Sequence, residues 1–361
     1  HTVDAVLQHG LLKGRMHGKL GVSTLLQGNV NVPGTGIRPL IPNYKKQNGG
    51  LFLLEHYDLH HRLELEAGAR LDATHIDVFT YNAQDLWTTP KHEFLNHALS
   101  AGLNWQLRDS LTLRANVSSA FRAPQVSELY SNGLHHGAAA IEIGDPTLRA
   151  EQAVKATADL DVYAFRGKVH ANLTVHTARI DHYILLEPDG FQLTIRGAFP
   201  VFRYVATNAS IHGADATVQW QATPHWAWRI RASLVRGFDR EKATWLYQMP
   251  ADRVENSLIY KTGNVGSWRD FDIALTSTAV LHQWRVPSGL DFMEPPRAYH
   301  LLGVSASMAR PLGNGKELRF GLEGYNLLNT AYRDYLDRFR YYADASGIDL
   351  SIWVRYSFGK T

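Results

Sequence analysis

Along most of the chain, apolar and polar residues alternate one by one. In HRLELEAGARLDA, Leu63, Leu65, Ala67, Ala69 and Leu71 share one face of an extended strand, and Glu64, Glu66, Arg70 and Asp72 share the other. The split recurs at Leu111, Leu113, Ala115 and Val117 against Thr112, Arg114, Asn116 and Ser118. It recurs again at Val154, Ala156, Ala158, Leu160 and Val162 against Lys155, Thr157, Asp159 and Asp161. Later copies set Trp226, Trp228, Ile230, Ala232 and Leu234 against Arg229, Arg231 and Ser233, and Leu318, Phe320 and Leu322 against Glu317, Arg319 and Glu323. The pattern predicts about fifteen strands.

A soluble sandwich also alternates, so the connections decide between the two. Short links (LKGR, YDLHH, LRDS, FRGK, ATPH, the turn at Gly263 to Gly266, PLGNGK) take turns with long ones. The expected long links are residues 29 to 48, 80 to 96, 120 to 148, 187 to 202, 240 to 252, QWRVPSGLDFMEPPRAY and LDRFRYYADASG. Short turns at one end, long loops at the other and strands of about ten or more residues between them predict an all-β fold, an antiparallel transmembrane β-barrel. Its charged face then lines a wet lumen and its apolar face meets outer-membrane lipid. Closure of the sheet is what lets such a backbone sit in hydrocarbon.

Composition agrees and excludes other classes. Apolar runs of a few residues are far too short for a spanning helix. With no cysteine, thiolate metal sites and disulfides are excluded, which suits an oxidising compartment. A net charge of +3 without charge blocks gives no sign of nucleic-acid binding. Aromatic residues near strand ends, such as Trp220, Trp226 and Tyr356, suit interfacial girdles. The start at His1 carries no signal peptide, and the expectation is a part of a longer polypeptide.

One segment breaks the alternation. AFRAPQVSELYSNGLHHGAAAIEIGDPTL, from Ala120 to Leu148, carries Phe121, Arg122, Ala123 and Pro124, then Glu128, Leu129 and Tyr130, then Gly144, Asp145, Pro146, Thr147 and Leu148, with Glu151 opening the next strand. These boxes resemble those of TonB-dependent outer-membrane receptors, with Asp145 and Thr147 each standing where that family usually has Asn. Further likenesses are PNYKKQNGGLFLLEHY with LELEAGARLDATHIDVF, NASIHGADATVQW, and GYNLLNTAYRDY as a penultimate strand. The last strand, LSIWVRYSF, sets Leu350, Ile352, Val354, Tyr356 and Phe358 outward. Its aromatic end, Tyr356 and Phe358, resembles the signal read by the barrel-assembly machinery, although Gly359, Lys360 and Thr361 follow.

The resemblance implies a twenty-two-strand barrel of the bacterial outer membrane, of which residues 1–361 would be the C-terminal part. The plug domain and about seven first strands are not in this sequence. It also implies active transport: the plug contacts the TonB complex, and the lumen charges bond plug or water. A surface lipoprotein is a further conceivable partner.

Within the loop, His135 and His136 are the candidate ligand donors, with Glu142 and Asp145 as carboxylates that could complete a nitrogen and oxygen shell. Adjacent histidines on an extended backbone point apart, so one of the two is expected to bind. Arg122 and Pro124 read as fixing the corner between strand and loop. Haem receptors and zinc receptors of the family both carry a histidine here, and the longer likeness favours zinc-type metal import. No cofactor is required; zinc, iron or haem would be the transported ligand. A haem or ferric-siderophore receptor is the alternative. His60 and His61 fall in a short periplasmic turn and are not expected to be ligands. No phosphate loop, nucleophile elbow or HExxH motif supports an enzyme. A passive porin or an adhesive barrel would explain the strands but not the boxes.

Overall fold

The computed structural model describes residues 1–32, 38–82 and 84–358. Parts of the expected links at 29 to 48 and 80 to 96, and Gly359, Lys360 and Thr361, lie outside the described residues. Nineteen strands form among the described residues, of which four, Trp87–Thr88, Asn132–His135, Ala140–Ile143 and Thr244–Trp245, are short pieces inside links. The other fifteen are Thr2–Leu11, Met16–Asn29, Asn43–His60, Leu63–Tyr81, Lys91–Arg108, Leu111–Arg122, Glu151–Ala164, Val169–Thr194, Gly197–Gln221, Trp226–Asp239, Arg253–Val265, Trp268–Val280, Tyr299–Gly313, Lys316–Tyr325 and Asp349–Ser357. Each pairs antiparallel with the next in sequence, giving one continuous meander. Among the described residues, Thr2–Leu11 pairs on one side only, with Met16–Asn29, and Asp349–Ser357 on one side only, with Lys316–Tyr325. The sheet therefore has two open edges within this chain.

Register confirms the two faces. Glu64, Asn104, Arg114, Asp159, Thr174, Asp215, Ser233 and Arg253 follow one another across eight strands as direct partners. The neighbouring row runs Leu65, Leu103, Ala115, Ala158, Val175, Ala214 and Leu234. One row is polar, and the next is apolar. Burial is inverted relative to a water-soluble protein: Leu71 is 50% exposed and its neighbour Asp72 only 4%. Outward Leu, Val and Ala side chains cost nothing against acyl tails, while inward charges bond one another, as Arg114 does with Asp159 at 2.9 Å. Outward aromatic residues gather near the short turns, where Trp226 and Tyr260 are cross-strand partners with ring centroids 4.9 Å apart.

The short turns follow local chemistry. Between Gly313 and Lys316, Asn314 and Gly315 both take positive φ, 51° and 71°, as a two-residue hairpin matched to strand twist demands.

Three expectations about the links change. Residues 187 to 202 are not a loop: Glu187 pairs with Arg203, and the ladder runs on to Thr194 and Gly197. Pro188 and Gly190 disguise it in the sequence, but a register shift between Pro188 and Phe191 absorbs Asp189 and Gly190, and Gly190 takes φ 80°. The strand expected after residue 48 begins at Asn43, because NYKKQNGG is polar at nearly every position and so shows no apolar alternation. GYNLLNTAYRDY is strand only through Tyr325: Asn326, at φ 50°, turns the chain away and ties Thr330 through its side-chain amide at 2.9 Å.

Candidate functional site

Arg122 ends its strand on the lumen side and holds the corner of the long segment. Its guanidinium donates to Glu151 at 2.7 Å and to Glu128 at 2.8 Å. Glu128 also accepts the Gln125 amide at 2.7 Å, closing the first turn of the helix Val126–Tyr130, and Glu151 accepts the Ile184 amide at 2.7 Å. Pro124 and Leu129 are buried beside it. Helix side chains pack on the inner wall: Val126 meets Ile76 and Val78, and Leu129 meets Leu148 and Ile184. The segment is thus not a free loop. It folds into the barrel mouth at the long-link end, because its apolar residues find inward-facing apolar partners there.

Gly144 allows this folding. A Cβ there would lie 2.6 Å from the Leu129 carbonyl carbon and from the Tyr130 nitrogen, so the GDPTL box runs directly under the helix. Asp145 donates its amide to the Glu128 carbonyl at 2.9 Å, and its carboxylate accepts the Thr147 amide at 2.8 Å and the Thr147 hydroxyl at 2.7 Å. That carboxylate is spent on its own turn.

Between these boxes the chain forms a small hairpin, Asn132–His135 with Ala140–Ile143, whose second strand lies parallel to Val201–Arg203 of the barrel. The hairpin brings two of the four candidate donors together. His135 Nδ1 lies 2.8 Å from Glu142 Oε1, and the same oxygen accepts Arg338 Nη1 at 2.8 Å. Glu142 is 4% exposed, whereas the His135 side chain is 46% exposed. In a neutral imidazole, an Nδ1–H donated to the Glu142 carboxylate leaves the lone pair of Nε2 free. His136 opens the turn His136–Ala138 and forms no side-chain hydrogen bond among the described residues. Of His135, His136, Glu142 and Asp145, only His135 offers an available metal-binding nitrogen with a carboxylate behind it.

Several residues that support this pair escaped the sequence analysis. Arg338 stacks its guanidinium 4.9 Å from the Phe202 ring centre, and Tyr342 donates its hydroxyl to the Ala139 carbonyl at 2.6 Å. Both sit in LDRFRYYADASG, expected only as a long link. An arginine among aromatic residues was the one visible signal. Tyr204 borders the same carboxylate, and its hydroxyl is pushed up to about 12, first by burial and then by the charges of Glu142 and Glu128. Since about 9–11 residues of tilted strand cross hydrocarbon, the outer half of the hairpin Val169–Gln221, with Tyr204, stands clear of the bilayer.

The family described as TonB dependent receptor-like, beta-barrel matches residues 6–357. The chain belongs to this family. Its barrels lie in the bacterial outer membrane. No curated protein sequence matches significantly. Solved structures share the fold: the copper transporter OprC aligns with TM-score 0.76 at 16% identity over 98% of this chain and 56% of that one. The FrpB iron transporter from Neisseria meningitidis (F5-1 variant) aligns with TM-score 0.69 at 17% identity, covering 98% and 55%. The hemophore receptor HasR from Serratia marcescens, solved with its hemophore HasA and heme, gives 0.67 at 16%, covering 99% and 58%. The chain therefore spans a little over half the length of these structures.

Proposed function

We propose that this chain is the barrel portion of an active-transport receptor that captures a metal ion or metal chelate at its extracellular mouth and passes it to the periplasm. Zinc is the favoured ion. His135 supplies the donor nitrogen, and Glu142 fixes the ring and raises its basicity, the arrangement that metal-binding histidines commonly use. That contact at 2.8 Å carries the reading. Transport itself would draw on the TonB complex through a plug domain. The lumen charges, Glu64, Glu66, Arg70, Arg229, Arg231, Arg319 and Glu323, would meet that plug or water. Tyr356, on the last strand, and Phe358, just past its end, fit an assembly signal, with ring centroids 5.8 Å apart.

A haem cargo is the second reading. It is favoured by the presentation of a single imidazole with a carboxylate behind it, which suits axial ligation of iron. Calorimetry of the full-length receptor with zinc, haem and a ferric siderophore separates the two. Zinc binding that falls at least tenfold in His135→Ala supports the first. Haem binding that falls in His135→Ala while zinc binding does not change supports the second, and indifference of every ligand to His135 removes both. Liposome swelling tests the class: a steady open conductance of the full-length protein would mark a porin instead.

A further inference from the structure

The lumen wall carries a second cluster of metal-binding groups, at the opposite end from His135. His17, His56 and Glu66 are direct cross-strand partners on three neighbouring strands, and Glu64 sits one inward position further towards the short turn. They share the polar face defined by Glu64, Asn104 and Arg114, so they look into the lumen close to the periplasmic rim. The donor atoms of His17, His56 and Glu64 all lie within 4.8 Å of one another. The imidazoles stack with centroids 5.1 Å apart and planes within 8°. His56 Nδ1 is 3.2 Å from Glu64 Oε1 and 3.8 Å from Glu66 Oε2. Among the described residues, neither carboxylate has a Lys or Arg nitrogen within 4.0 Å. It is also the only such three-donor group among the described residues.

The geometry points to a second metal-ion site here, His17, His56 and Glu64 with Glu66 in reserve, taking a divalent transition metal of the zinc type. Two imidazoles and one carboxylate are a standard zinc donor set, and three protein donors leave a coordination position open. An open position suits transfer, because water or another ligand can take the ion over. Two carboxylates without a Lys or Arg partner among the described residues supply the charge that a dication needs, and the stacked imidazoles would turn about their side-chain bonds to bring their in-plane lone pairs onto the ion. The site would be a release station for an ion entering at the mouth. Only that role rests on the metal-import reading; ion binding at the wall stands without it.

Zinc titration of the full-length receptor in detergent, followed by calorimetry, tests the site, with Co(II) absorption as an independent probe of the coordination shell. The wild type is expected to show a binding event that is weakened at least tenfold in His17→Gln plus His56→Gln and retained in His135→Ala. Glu64→Gln, which keeps both rings, is expected to weaken the same event and alter the Co(II) spectrum. An isotherm and spectrum unchanged by the double substitution overturn the wall site. So does loss of all zinc binding in His135→Ala, a result that leaves the mouth reading standing. Loss confined to the wall variants upholds the wall site and defeats the mouth reading.

Discussion

Arg122, the last residue of one barrel strand, holds Glu151, the first residue of the next, at 2.7 Å, and the same guanidinium holds Glu128 at 2.8 Å. One cation thus joins two strands to the helix that fills the mouth. Arg122→Ala leaves both carboxylates without a cation. Because the guanidinium is more than a third exposed, solvent screening discounts the loss to about 1–3 kcal/mol of loop attachment. Limited proteolysis should then cut between Ser131 and Asp145 in the variant while the barrel stays intact. Equal cutting of wild type and variant would show that the corner does not depend on this residue.

Glu142 is expected to act on metal affinity through His135. Glu142→Gln keeps the shape but removes the charge that polarises the ring, and loss of the carboxylate behind a metal-binding histidine costs roughly 10–100-fold in affinity. His136→Ala should leave affinity within about twofold. Calorimetry with zinc reads both, and a larger effect from His136 than from Glu142 would reverse the assignment.

Alkali should loosen the mouth. Burial first, then the charges of Glu142 and Glu128, raise Tyr204 to about 12. The unfolded value is about 10. A raised folded value means that this contribution is whole below about pH 10 and is lost as pH climbs towards 12. Protease access to the mouth segment should rise across that window, and Tyr204→Phe should flatten the rise. Access that grows instead on mild acidification would contradict the sign.

Face matters more than residue type for substitutions in the ladder. Leu71→Arg puts a charge on the apolar face and should cost about 2–4 kcal/mol near mid-bilayer. Asn116→Arg, on the face shared with Glu66 through Gly102, should cost far less. Urea unfolding in lipid or detergent, followed by tryptophan fluorescence, compares the two. Equal costs would deny the two environments.

Much of this fold was legible because lipid and water impose period two on every strand, and the outward assignment of Leu350, Ile352, Val354 and Tyr356 follows from that alone. Legibility failed where the sequence is polar at nearly every position, as from Asn43, and where Pro188 and Gly190 disguise a continuing ladder, as across Glu187 to Phe202. Arg122 and Pro124 were readable as a corner. The partnership of Glu142 with Arg338 was not, since 196 residues separate them and both sit in links that show no apolar period. The cluster of His17, His56 and Glu64 depends on strand register, which hydrophobic pattern constrains but does not display.

In a barrel that spans the bilayer, side chains from Leu63 to Ala73 meet lipid and water alternately. Residues 1–361 hold no cysteine, so single cysteines can be placed there in a full-length receptor whose remaining residues have been cleared of cysteine, each spin-labelled in bilayers and tested with lipid-soluble oxygen and a water-soluble relaxant. Positions 65, 67, 69 and 71 are predicted to favour oxygen, and 64, 66, 70 and 72 the aqueous relaxant. An accessibility profile with no two-residue period, or with the phases exchanged, would contradict the barrel assignment.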